Sequence, residues 1–181
     1  MIAIKKILVP TDLSDSSVPA IGYALSLAQK HGAEVGVLHV LPSSAITEHL
    51  AHGYVTEGLM EPGALTNAER ASETGSIFER KQRIIHDFVQ EKIGSELLKA
   101  VKITVLVRFG KPVKEIVAAA KEEQSDLIVM NRESGLSLWG HFTDRVGKLA
   151  SCPVLSIPPS AEVRTEENER VPLNHMEKWA A

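Results

Sequence analysis

The stretch that decides the fold is 125-SDLIVMNRESGLSLWGHFTDRVGKLASCPVLSIP-158. It opens with four apolar residues, Leu127 to Met130, a run short enough for one buried strand. A loop rich in Ser, Gly and charge follows. Phe142, Val146, Leu149 and Ala150 then fall on one face of a helix. A second β-type run, Val154 to Ile157, is set off by Pro153 and Pro158. Strand, loop, helix, strand is the grammar of a parallel α/β sheet, and the loop after Met130 leaves the carboxyl end of a strand, where such sheets bind ligands.

Working outward, the same grammar recurs. Ile7 to Pro10 suits a central strand. Thr11 to Ser17 is polar and offers helix-capping side chains, Ile21, Ala24, Leu25 and Ala28 share a helical face, and His31-Gly32 reads as the stop. Glu34 to Leu41 is the second strand, parallel to the first because a helix crosses between them. From Ser76 a long helix turns Ile77, Lys81, Ile84, Ile85, Phe88, Val89 and Ile93 to one side, with Lys81 snorkelling at its edge. Lys102 to Phe109 alternates as a third strand, and Pro112 opens a helix with Val113, Ile116, Val117 and Ala120 buried.

Two segments break this rhythm. Residues 42–75 form an insertion with Gly53, Gly58, Gly63, Gly75 and Pro62. Its apolar residues, among them Ile46, Leu50, Tyr54 and Leu59, are too many for a solvated linker, so part of it is expected to be ordered. Residues 159–181 form a C-terminal extension in which the period is lost and Glu162 to Glu169 is expected to be mobile. Leu173, Met176 and Trp179 could anchor its end. Insertion and extension are the surfaces on which a protein partner is expected. Residues 1–158 make one domain.

Composition narrows the function. A net charge of -3 gives no basic field for nucleic acid, and no apolar run is long enough for a membrane span. A single cysteine, Cys152, allows no intrachain disulfide and fits a cytoplasmic protein. It reads as a buried structural thiol. His49 and His52 beside Glu48 and Glu57 have zinc-like spacing, yet solvated histidines in a loop are the commoner case, and no metal site is assigned. No catalytic Ser-His-Asp or Cys-His signature is present, so no catalytic residue is assigned.

The pieces ILVPTDLSDSS at 7–17, ALSLAQKHGAEVGVLHVL at 24–41, FGKPVKEIVAAAKEEQSDLIVM at 109–130 and LASCPVLSIP at 149–158 together resemble the universal stress protein family. That resemblance implies a Rossmann-like α/β fold, with five parallel strands in the order 3-2-1-4-5 and helices on both faces. It also implies a homodimer paired through the last strand, so Val154, Leu155 and Ile157 are expected at the interface. Many members bind ATP. By resemblance Asp12 meets the nucleoside, with Pro10 and Thr11 beside it, and Val40 offers backbone groups to the adenine. Asp12 could equally be a capping or turn carboxylate.

The family's phosphate loop reads Gly, two residues, Gly, nine residues, then Gly with Ser or Thr. Glycines let backbone amides approach phosphate oxygens at a helix N-terminus. Here Asn131 takes the first place, Ser134 or the adjacent Gly135 the second, and only five residues separate Ser134 from Gly140, which His141 follows. Either Arg132, His141 or Thr143 replaces the missing contacts, or the loop merely connects strand to helix. The leading expectation is a non-enzymatic stress-response or signalling domain that binds ATP, with magnesium, weakly or not at all. The alternative is an adenine-nucleotide switch or slow ATPase with the insertion as a lid.

Overall fold

Apolar runs bounded by Pro, Gly and polar residues become the strands of one parallel sheet. The computed structural model describes residues 3–42, 67–132, 142–158, 163–164 and 170–171. Its elements are β1 (Lys6–Pro10), α1 (Val18–His31), β2 (Glu34–Leu41), α2 (Asn67–Lys92), α3 (Ser95–Ala100), β3 (Ile103–Phe109), α4 (Pro112–Glu122), β4 (Leu127–Asn131), α5 (Phe142–Leu149) and β5 (Val154–Ile157). Two short strands follow, β6 (Val163–Arg164) and β7 (Arg170–Val171). The five-stranded sheet has the order β3-β2-β1-β4-β5, and every neighbouring pair is parallel. This is the order and direction expected.

Alternation along the strands feeds two cores. Ile7, Val9, Val35, Val37 and Val129 join α1 and the buried stripe of α2 on one face. Leu8, Leu38, Ile128 and Met130 join Val113, Ile116 and Ala120 of α4 and Val146 of α5 on the other. Each fully buried Leu or Ile contributes about 1.5–3 kcal/mol over leaving it exposed. Helix α1 stops where Gly32 takes φ 65°, a left-handed conformation that an L side chain resists.

Four expectations are corrected. The long helix begins at Asn67, nine residues before Ser76. Residues 67–75 carry helix formers without an apolar stripe, and Gly75 is tolerated on the exposed surface. Ile84 is 40% exposed, because Ile77, Ile85, Val89 and Ile93 repeat at multiples of four and Ile84 lies one position off that stripe. Leu149 is 62% exposed at the last position of an eight-residue helix that ends before turning it inward. In the extension, where no strand period is legible, β6 and β7 pair antiparallel over two residues each. A further helix, α3, also went unforeseen.

Candidate functional site

The carboxyl ends of β1, β2 and β4 open into a crevice of about 380 Å³. Pro10, Thr11 and Asp12 line it from β1, Leu38, His39 and Val40 from β2, and Met130 and Asn131 from β4. Pro112 and Ile116 of α4 and Phe142 of α5 supply an apolar wall. The chain diverges here to the two sides of the sheet centre, which is why a cleft forms between β1 and β4.

The loop after β1 is braced by its own hydrogen bonds. The Leu13 N–H donates to Thr11 Oγ1 at 3.0 Å. Thr11 Oγ1 and Ser17 Oγ stand 2.8 Å apart and buried, and Ser17 Oγ donates to the Ser14 carbonyl at 2.8 Å. Each hydroxyl has one hydrogen, so Thr11 must be the donor to Ser17, and the chain runs Leu13, Thr11, Ser17, Ser14. Asp12 Oδ1 accepts from the Ser14 N–H at 3.0 Å and from Ser14 Oγ at 2.6 Å. Its Oδ2 has no partner among the described residues. Capping is not what these side chains do: neither Ser14 nor Ser17 makes a side-chain cap bond. Asp12 instead closes a turn on Ser14 and lines the crevice. Leu13 is held at φ 64°, an uncommon conformation for a non-glycine residue.

Pro10, Thr11, Asp12, Val40 and Asn131, all singled out from the sequence, therefore share one wall system. Asn131 is the last residue of β4, with Arg132 N–H bonded to the Ile157 carbonyl at 2.6 Å. Ser134, Gly135, Gly140 and His141 lie outside the described residues, as do His49, His52 and the anchors Leu173, Met176 and Trp179. His39, Ile116, Met130 and Phe142 were not foreseen at the site. His39 is the one polar residue in the run Val35 to Leu41, and that was the available signal. At the sheet edge, Leu155 is 37% exposed, Val154 half-buried and Ile157 buried. Ile157 thus belongs to the core rather than to an exposed edge surface. Cys152 is half-buried, and burial pushes its thiol up, away from the reactive thiolate.

The profile of the universal stress protein family matches residues 3–158. The chain belongs to that family. A universal stress protein of Methanocaldococcus jannaschii is 33% identical over 162 residues, which is 84% of this chain and 81% of the relative. One of Bacillus subtilis is 30% identical over 158 residues, 84% of this chain and 97% of the relative. Among solved structures, a universal stress protein in complex with cAMP superposes with a TM-score of 0.52 at 22% identity, covering 87% of this chain and 99% of the other. A Burkholderia pseudomallei member of the family reaches 0.54 at 21% identity, covering 86% and 97%. These likenesses establish the fold. Among the described residues, no helix is long and apolar enough to cross a membrane, and no group of three His, Cys, Asp or Glu stands placed to hold a metal ion.

Proposed function

We propose that this universal stress protein is a non-enzymatic, cytoplasmic stress-response or signalling domain that responds to an adenine nucleotide. It holds the nucleoside end and first phosphate, and it grips the outer phosphates of ATP weakly. The observation that carries this reading is the meeting of Pro10, Thr11, Asp12, Val40 and Asn131 on one crevice of about 380 Å³. Its size falls within the range of about 300–1,000 Å³ usual for small-ligand sites, and its apolar wall with few polar groups fits a planar base. Asp12, which lines the crevice and spends only Oδ1 on Ser14, would accept from a sugar hydroxyl through Oδ2. Weak grip on a triphosphate follows from Asn131 and Ser134 standing where glycines would let backbone amides reach phosphate. A family member of the same fold is solved with cAMP, a ligand with one phosphate.

Dimer formation belongs to the same proposal. β5 is an edge strand, and exposed Leu155 makes its outer surface apolar. Two copies paired about a twofold axis would cover it. The insertion and the extension remain the surfaces proposed for a protein partner.

The test is the nucleotide that the protein carries and takes up. Protein purified without added nucleotide is heated, the supernatant is analysed by mass spectrometry, and the stripped protein is titrated calorimetrically with AMP. Recovery of an adenine monophosphate, or saturable AMP binding, is expected. Recovery of ATP in stoichiometric amount would favour the switch or slow ATPase instead, and neither recovery nor binding would leave a purely protein-binding domain.

A further inference from the structure

At the rim of the crevice a side chain, not the backbone, closes the ladder between β1 and β2. The two strands pair in register as far as Pro10 opposite Leu38. Even-numbered residues of β2 turn their backbone groups toward β1: the Glu34 N–H donates to the Lys5 carbonyl, and the Leu38 carbonyl accepts from the Thr11 N–H, both at 2.8 Å. Odd-numbered residues turn toward β3, where the Val35 N–H donates to Lys102 and the Leu41 carbonyl accepts from Gly110.

The next rung of a parallel ladder would carry the Val40 N–H to the Thr11 carbonyl. That bond is absent among the described residues, and the Thr11 carbonyl lies 2.8 Å from Nδ1 of His39. A carbonyl only accepts, so Nδ1 carries the hydrogen. The ring takes the acceptor that the strand would have taken. Val40, on the crevice wall, is left with its N–H and carbonyl turned toward β1 and without a partner there.

We propose that His39 is a positioning residue: its Nδ1–H holds the Thr11 carbonyl in place of the Val40 amide, fixes the loop carrying Asp12, and leaves the Val40 backbone free for the edge of a bound base. The last step rests on the nucleotide reading. The ladder step does not, because it concerns the ligand-free protein.

The experiment measures amide exchange by NMR in ligand-free wild type, His39→Leu and His39→Asn. Leucine cannot donate, so the ladder gains the Val40 rung. The Asn amide nitrogen stands close to where Nδ1 stands and can replace it. Val40 exchange is expected to slow about ten-fold in His39→Leu, the worth of one hydrogen bond, and to match wild type in His39→Asn. Val40 exchange that is unchanged or faster in His39→Leu overturns the ladder step, since mere loosening gives that result. Should His39→Leu fail to fold, the wild-type ring decides: nitrogen spectra at pH 8 are expected to find the hydrogen on Nδ1, and a ring protonated only on Nε2 overturns the assignment. AMP titrated into the same proteins is expected to bind about ten-fold more weakly in His39→Leu and normally in His39→Asn. No AMP binding by any of the three overturns the nucleotide reading and the base-edge step, while the exchange rates still decide the ladder step.

Discussion

The ends of β1 and β4 meet at the same crevice, and the sequences that follow them have opposite endowments. The first keeps Pro10, Thr11 and Asp12 and braces them with hydrogen bonds among Thr11, Leu13, Ser14 and Ser17. The second has Asn131 and Ser134 in the places where the family resemblance implies glycines, with five residues between Ser134 and Gly140, and is proposed to hold phosphate weakly for that reason. A base and sugar are held by side chains and strand edges, whereas a polyphosphate needs backbone amides at close approach. The two requirements sit on different loops, so one can be lost while the other stays.

The largest effect expected from this contrast is on Asp12. Its Oδ2 is proposed to accept from the sugar, so Asp12→Ala should weaken AMP binding about ten- to hundred-fold in calorimetry. An unchanged affinity would mean that the carboxylate serves only the turn on Ser14. The next effect sharpens the other side. Asn131→Gly with Ser134→Gly returns the freedom that amides need to meet phosphate, and ATP affinity should rise about ten-fold while AMP changes little. Equal gains for both ligands would show that the loop does not separate them.

A smaller effect is expected away from the crevice. Leu155→Lys puts a charge on the β5 edge and should raise the dimer dissociation constant about ten-fold in sedimentation, leaving AMP binding intact. A wild type that is monomeric at micromolar concentration removes that expectation. The smallest effect lies at the opposite rim. Asp126 Oδ2 accepts the backbone N–H groups of Lys5 at 2.7 Å and Lys6 at 3.0 Å, and these bonds hold its carboxyl below the usual aspartate value. A lowered pKa in the folded state gives stability that is complete above the unfolded value and lost as pH falls through the folded one. Asp126→Ala should therefore lower the melting temperature by about one or two degrees at neutral pH, with the difference fading in acid. The two carboxylates then differ in kind: Asp126 ties the chain to itself, and Asp12 is proposed to offer an oxygen to a ligand.

The sheet was legible because its strands are apolar runs punctuated by Pro10, Gly32, Gly110 and Pro153, and its order came with the family resemblance. The start of α2 was not, since residues 67–75 have helix formers but no period to mark a face. Ser95–Ala100 is too short for a period at all, although Leu97 and Leu98 pack on the core. At the site, motif residues were readable one at a time. His39 was not, because a polar residue inside a strand looks the same whether it faces water or completes a neighbour's hydrogen bonding. Its role depends on the Thr11 carbonyl, 28 positions away in the chain.

The most direct measurement is the ratio of AMP to magnesium-ATP affinity in the stripped wild-type protein, by calorimetry in one buffer. Comparable dissociation constants, within about three-fold, are predicted, because the crevice is proposed to grip the part that the two ligands share. Magnesium-ATP binding a hundred-fold tighter than AMP, a difference of about 2.7 kcal/mol, would contradict it and show that the loop after β4 still cradles the outer phosphates.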